Sequence, residues 1–142
     1  MCRVLVVLTV HNETGNATAG ELHWLLGRIR PDVIFLEHSS SNFSTFLDGS
    51  FRTLESVAVM RYHKNNVVEL VPVDLDLPVV DLKRRFDEML DRIEEASPRY
   101  CHLDLANRQH TAAGGLAYLN SPAGAELQTE IDKEMRTTVD CW

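Results

Sequence analysis

Three apolar segments of this chain are each followed directly by an ionisable residue. VLVVLTV is followed by His11, VIFL by Glu37 and VELVPV by Asp74. An imidazole and carboxylates that share one site can act as general base, orienting group or metal ligand, which is the chemistry of hydrolysis. A strand that leaves the core often meets a charged residue, so each position alone is more typical of a solvated strand end than of a site. The repetition at three strand ends favours a site, and we predict His11, Glu37 and Asp74 as catalytic candidates.

The first two strand ends also offer a mixed set of metal ligands. His11 and Glu13 are two residues apart, and Glu37 ends the second segment. Nitrogen and oxygen donors of this kind suit Zn, Mn, Co or Fe, so we predict these three residues as candidate ligands. The chain has no H-E-x-x-H motif, phosphate-binding loop, dinucleotide fingerprint or G-x-S-x-G elbow. Nucleotide binding and serine catalysis are therefore disfavoured.

The elements that must position these residues follow from the apolar pattern. Continuous Val/Ile/Leu runs at about 3–10, 33–36 and 67–73 predict strands of a buried parallel sheet. Helical stripes follow each run, for example the one formed by Leu22, Leu25, Leu26 and Ile29. The predicted fold is α/β with three layers, a short parallel sheet in the order β-α-β-α-β-α, and additional C-terminal helices. Ligands bind such sheets at the carboxyl ends of the strands.

The domain prediction is a single α/β domain over 1–142, with 98–142 as a helical C-terminal extension. The Ser- and Asn-rich stretch 39–50 is predicted to be a loop that covers the site. One apolar stripe, formed by Leu127, Ile131 and Met135, has no obvious helix to cover it. This stripe and the open edge of a three-stranded sheet predict a homodimer.

Composition restricts the choice of partner. The 142 residues carry a net charge of −7, which disfavours nucleic acid and anionic membrane surfaces. No apolar run is long enough to cross a bilayer and no signal pattern precedes the first one, so a cytoplasmic location is expected. Three cysteines without zinc-type spacing predict reduced thiols. Besides a second copy of the chain, the expected partner is a small-molecule or peptide ligand.

Residues 7–37 also resemble a known family. The stretch VLTVHNETGNATAGELHWLLGRIRPDVIFLE combines a strand ending in His, a Leu-rich helix and a second strand ending in Glu. It is similar to the first part of the TraB/TIKI and erythromycin-esterase/ChaN-like superfamily. The VPVD of residues 71–74 and the LNS of residues 119–121 resemble later parts more weakly.

The resemblance implies an α/β fold with a polar pocket, in a group that includes metal-dependent peptidases, esterases and haem-binding lipoproteins. By position, His11 would be the motif histidine and Glu37 the acidic residue. The chain departs from the pattern at Leu8, where the family usually has Gly, and it has no room for a second histidine motif. The implied function is a metal-dependent hydrolase-like domain. The alternatives are a non-catalytic ligand- or metal-binding module and a small dimeric interaction protein.

Overall fold

The computed structural model describes residues 3–76 and 79–141. Their elements, in chain order, are α1 (Ala19–Ile29), β1 (Val33–Ser39), α2 (Phe43–Leu47), α3 (Leu54–His63), β2 (Glu69–Asp74), α4 (Val79–Ala96), α5 (Pro98–Leu119) and α6 (Pro122–Val139). The mixed α/β class is therefore confirmed. The chain divides into two compact units, Met1–Asp76 (unit 1) and Leu77–Trp142 (unit 2).

The sheet of unit 1 consists of β1 and β2, which pair in parallel. Val33 pairs with Glu69 and Phe35 with Val71. Burial alternates along β1, because successive side chains of a strand point to opposite faces. Leu36 is buried, whereas Phe35 on the other face is 62% exposed. One face of β1 is thus covered within this unit, and the other is open.

The predicted first strand at 3–10 is not found: this segment has no regular secondary structure. Its side chains nevertheless alternate, with Val4 and Val6 exposed and Leu5 and Val7 lining a cavity. The carbonyl oxygen of His11 accepts a hydrogen bond from the first backbone N–H of α3, at 2.9 Å. The apolar run therefore dictates an extended chain with one inward side, but it does not dictate pairing with β1. The three-stranded β-α-β-α-β-α order is accordingly absent from the described residues.

The predicted loop at 39–50 contains the short helix α2. Phe46 in this helix is only 1% exposed, and Phe43 stacks beside it with ring centroids 6.0 Å apart. Two buried or half-buried aromatic rings supply enough apolar area to fix a single turn of helix although the flanking residues are polar. The stretch is therefore loop only at its ends.

Helix α3 begins at a capping box. The side chain of Thr53 accepts from the backbone N–H of Ser56, and the Ser56 hydroxyl accepts from the backbone N–H of Thr53. Reciprocal bonds of this kind satisfy donors that the first turn leaves free. They fix where the helix starts, and so fix the direction of every side chain in its first turn, including Glu55.

Unit 2 contains the three helices α4, α5 and α6, which pack around Ile93, Tyr100 and Ile131. Leu127 and Met135 are partly buried against this core. Helices α4 and α5 thus cover the stripe for which the sequence offered no partner. The expectation that this stripe must meet a second copy is wrong. A stripe shows which face of a helix is apolar but does not show which element covers it.

Replacement of Ile131 by Ala tests this packing. Removal of a buried Ile side chain should lower the free energy of unfolding by about 2–5 kcal/mol, since the space left behind is only partly filled. Urea unfolding followed by helical circular dichroism measures the change. The neighbouring exposed residue gives the control, because Lys133→Ala should stay within about 0.5 kcal/mol of the wild type. Equal stability of the two variants would show that α4 and α5 do not cover this face.

Candidate functional site

Unit 1 encloses a cavity of about 300 Å³ whose lining is mainly apolar. The segment 5–11, α1, β1, α2, α3 and the residues just before α3 all contribute to its wall. Its polar lining residues are Thr9, His11, Glu37, His38, Thr53 and Glu55. A mostly apolar cavity with a few convergent polar groups is the usual form of a small-molecule site. It is therefore the candidate functional site.

His11 lies beside a carboxylate that the sequence analysis did not select. Its Nδ1 atom is 3.5 Å from Oε1 of Glu55, and its side chain is 78% exposed. The Thr9 hydroxyl donates to the same Oε1 atom at 2.5 Å. Glu55 is thus oriented by a short hydrogen bond on one side and faces the imidazole on the other. The contact with Glu55 involves Nδ1, so it does not use Nε2 of the same ring.

Two buried polar atoms of the cavity residues have no hydrogen-bond partner in the described part of the chain. They are Oε2 of Glu55 and Nε2 of His38. The His38 ring packs edge-on against Phe46 and Phe51, with centroid distances of 5.2 and 4.7 Å. An unmet hydrogen bond at a buried group costs about 1–3 kcal/mol, more for a charged group. These two atoms are therefore where a bound ligand has the most polar interaction to gain.

Glu37 differs from His38 in its burial. It is exposed, like Phe35 two residues before it, whereas His38 lies two residues after buried Leu36 and is partly buried. Alternation places the Glu37 and His38 side chains on opposite faces of β1. His11 and Glu37 both line the cavity, and their direct proximity stays a prediction.

Glu13 has a structural contact of its own. Its Oε1 atom accepts a hydrogen bond from the backbone N–H of Ala19 at 2.8 Å. Ala19 is the first residue of α1, where a carboxylate complements the positive end of the helix dipole. Glu13 thus helps to start α1, and its role as a metal ligand stays a prediction.

The third strand end has an interaction of a different kind. Asp74 accepts from the backbone N–H of Leu75 at 2.8 Å. Asp76 accepts from the hydroxyl of Ser41 at 2.5 Å and from its backbone N–H at 3.3 Å. Hydrogen bonds from the Ser41 and Ser39 hydroxyls and the Ser41 N–H hold the pKa of the Asp76 carboxyl below its ordinary value of 3.8. This end of β2 is tied to the segment after β1, not to His11.

The side chains near His11 offer few ligands for a metal ion. Within 3–76 and 79–141, no three His, Cys, Asp or Glu residues are grouped so that they could hold a metal ion. His11 and Glu55 supply one nitrogen and one oxygen, while a catalytic zinc usually has three protein ligands. The Zn, Mn, Co or Fe ion predicted from the sequence is not part of this geometry and stays a prediction.

Two residues of the cavity were missed as site residues, and each had a signal in the sequence. Ile34, Leu36 and His38 are alternate residues of β1 and so share one face of the strand. His38, and not the preceding Glu37, therefore belongs to the covered face. Glu55 lies four residues before the buried Val59, on the same side of α3. Alternation along the strand therefore indicates His38, and the four-residue spacing along the helix indicates Glu55.

Comparisons with known proteins leave the family open. No family model matches the chain, and neither curated proteins nor solved structures give a match. The TraB/TIKI and erythromycin-esterase/ChaN-like resemblance stays a prediction that rests on the residues quoted for it. None of the described helices is both long and apolar enough to cross a bilayer.

The contact between Asp76 and Ser41 predicts a pH effect. The Asp76 carboxyl should titrate below 3.8 in the folded protein, and Ser41→Ala should raise its pKa toward that value. Since the folded-state pKa is lowered, the contact stabilises the fold above pH 3.8 and is lost as the pH falls through the folded-state pKa. NMR titration of the carboxyl carbons measures both proteins.

The control lies in the same molecule. Asp48, whose pKa is lowered by hydrogen bonds from Ser50, should titrate identically with and without Ser41→Ala. An Asp76 pKa at or above 3.8 in the wild type would contradict the contact.

Proposed function

We propose that unit 1 binds a small, mainly apolar ester or amide in its cavity and hydrolyses it. The observation that carries the proposal is that Glu55 Oε2 and His38 Nε2, both buried and without a partner in the described chain, belong to residues lining one cavity. The carbonyl oxygen of such a ligand would accept from His38, and the N–H of an amide or the O–H of the attacking water would donate to Glu55. The apolar lining would hold the rest of the ligand.

The hydrolytic step uses the contact between His11 and Glu55. His11 Nε2 removes a proton from water while the other oxygen–hydrogen bond of that water stays intact. The resulting hydroxide adds to the carbonyl carbon, and His38 Nε2–H donates to the developing oxyanion. The tetrahedral intermediate then breaks its bond to the leaving group, which takes the proton from His11. Glu55 stabilises the imidazolium between these two proton transfers.

A binding module without turnover is the second candidate. The His11 side chain is largely exposed, and 3.5 Å from Glu55 is longer than a good hydrogen bond. A general base can tighten such a contact when substrate binds, so the distance favours neither candidate. The TraB/TIKI and erythromycin-esterase-like resemblance supports hydrolysis. A role for Glu37 and Asp74 in the reaction, and for a divalent metal, stays a prediction outside this mechanism.

The experiment compares variants of the proposed base and orienting group. p-Nitrophenyl acetate is the substrate, and release of p-nitrophenol is followed with and without a chelator. Loss of general base catalysis should lower the rate about 10²–10⁴-fold in His11→Gln and Glu55→Gln. A chelator effect would add the metal to the mechanism.

The matched control is His63→Gln, because His63 is exposed near the end of α3 and does not line the cavity. It should retain the wild-type rate. Equal rates in all four proteins would show that His11 and Glu55 take no part in the cleavage. Binding of p-nitrophenol that is weakened by His38→Phe, without faster ester cleavage, would instead establish the binding module.

Self-association also stays a prediction, now on the basis of strand edges alone. In the described residues the sheet has two strands, so each strand has one side without a strand neighbour. Unpaired edges favour addition of a second copy, although Pro72 in β2 weakens that edge because it lacks a backbone donor. Light scattering should give the mass of a dimer at micromolar concentration. A monomer mass would contradict the prediction. The expected cytoplasmic location has no bearing on this result.

A further inference from the structure

A second cavity of unit 1, of about 380 Å³, runs along α3. We call it the α3 groove. Its lining includes three cations, Arg52, Arg61 and Lys64, and no acidic residue. Phe51, Val57 and Met60 give it an apolar floor. This concentration of positive charge occurs in a chain whose net charge is −7.

The spacing of the cations defines the shape of the groove. Val57, Arg61 and Lys64 follow each other at intervals of four and three residues, so they lie on one side of α3. Arg52 precedes the capping residue Thr53 and lies at the opposite end of the helix. Ten residues of helix separate these ends by about 15 Å. The groove therefore has positive charge at both ends and an apolar surface between them.

Helix electrostatics accounts for only part of this charge. Arg61 and Lys64 are at the carboxyl end of α3, where cations complement the macrodipole. Arg52 is at the amino end, where the dipole is positive and disfavours a cation. None of the three has an ion pair with a carboxylate in the parts of the chain that are described. The helix dipole therefore does not account for the position of Arg52, and an anion in the groove would offset the repulsion.

From these observations we propose that the α3 groove binds an organic anion with an aromatic or aliphatic body. The anionic group, a carboxylate, sulfonate or phosphate ester, meets the cations at one end of the groove, and the body covers Val57 and Met60. A volume of about 380 Å³ fits a small molecule of this type. The groove is distinct from the hydrolytic cavity, although Phe46 and Phe51 line both.

Anilinonaphthalene sulfonate tests the proposal, because it combines an aromatic body with one anionic group. Its fluorescence is titrated with the full chain at low and at high salt. The groove variant is Arg52→Gln, Arg61→Gln and Lys64→Gln combined, which should weaken binding by about tenfold or more and remove most of the salt dependence. Inorganic phosphate should compete with the dye in the wild type.

The matched control removes the same charge elsewhere. Lys83→Gln, Arg85→Gln and Lys133→Gln combined change three exposed cations of unit 2 and should bind the dye like the wild type. Circular dichroism confirms that both variants are folded, and the three single groove variants replace the combined one if it is not. N-phenyl-1-naphthylamine, which lacks the sulfonate, should bind wild type and groove variant alike. Equal affinity of the two combined variants for the anionic dye, or no competition by phosphate, would overturn the proposal.

Discussion

The alternation of side chains along β1 is the constraint on which the site depends. Leu36 is buried, and the parallel pairing with β2 fixes the strand around it. His38 shares the half-buried side of Leu36, while Glu37, which also lines the cavity, is exposed like Phe35. A slip of one residue would exchange the two. The burial of Leu36 therefore decides that His38, and not Glu37, has the half-buried side chain.

The carboxylate of the site depends on a second local feature, the start of α3. The capping box of Thr53 and Ser56 sets the first turn of the helix, and Glu55 lies within that turn. A carboxylate near a helix amino terminus is stabilised by the dipole. Thr9 adds a hydrogen bond from the segment that runs alongside. Glu55 is thus held in place through one oxygen, while its other oxygen has no partner among the described residues.

The sequence was a better guide to where helices and strands lie than to which elements pack against each other. The stripe of α1, the apolar runs of β1 and β2, and Pro122 at the start of α6 were sufficient to place those elements. Periodicity shows which side of an element is apolar, but it contains no statement about what covers that side. For this reason the sequence predicts a second copy over Ile131, whereas α4 and α5 cover it. The segment 3–10 was likewise apolar enough for a strand but lacks one.

The candidate site shows the same limit at the level of single residues. Residue type and strand position found His11, yet its neighbour in space is Glu55, which is 44 residues away in sequence. Only the packing of α3 brings them together. Packing also links the two cavities, since the Phe51 ring contacts His38 edge-on and lines the α3 groove as well. The Phe51 ring is therefore a wall that the two cavities share.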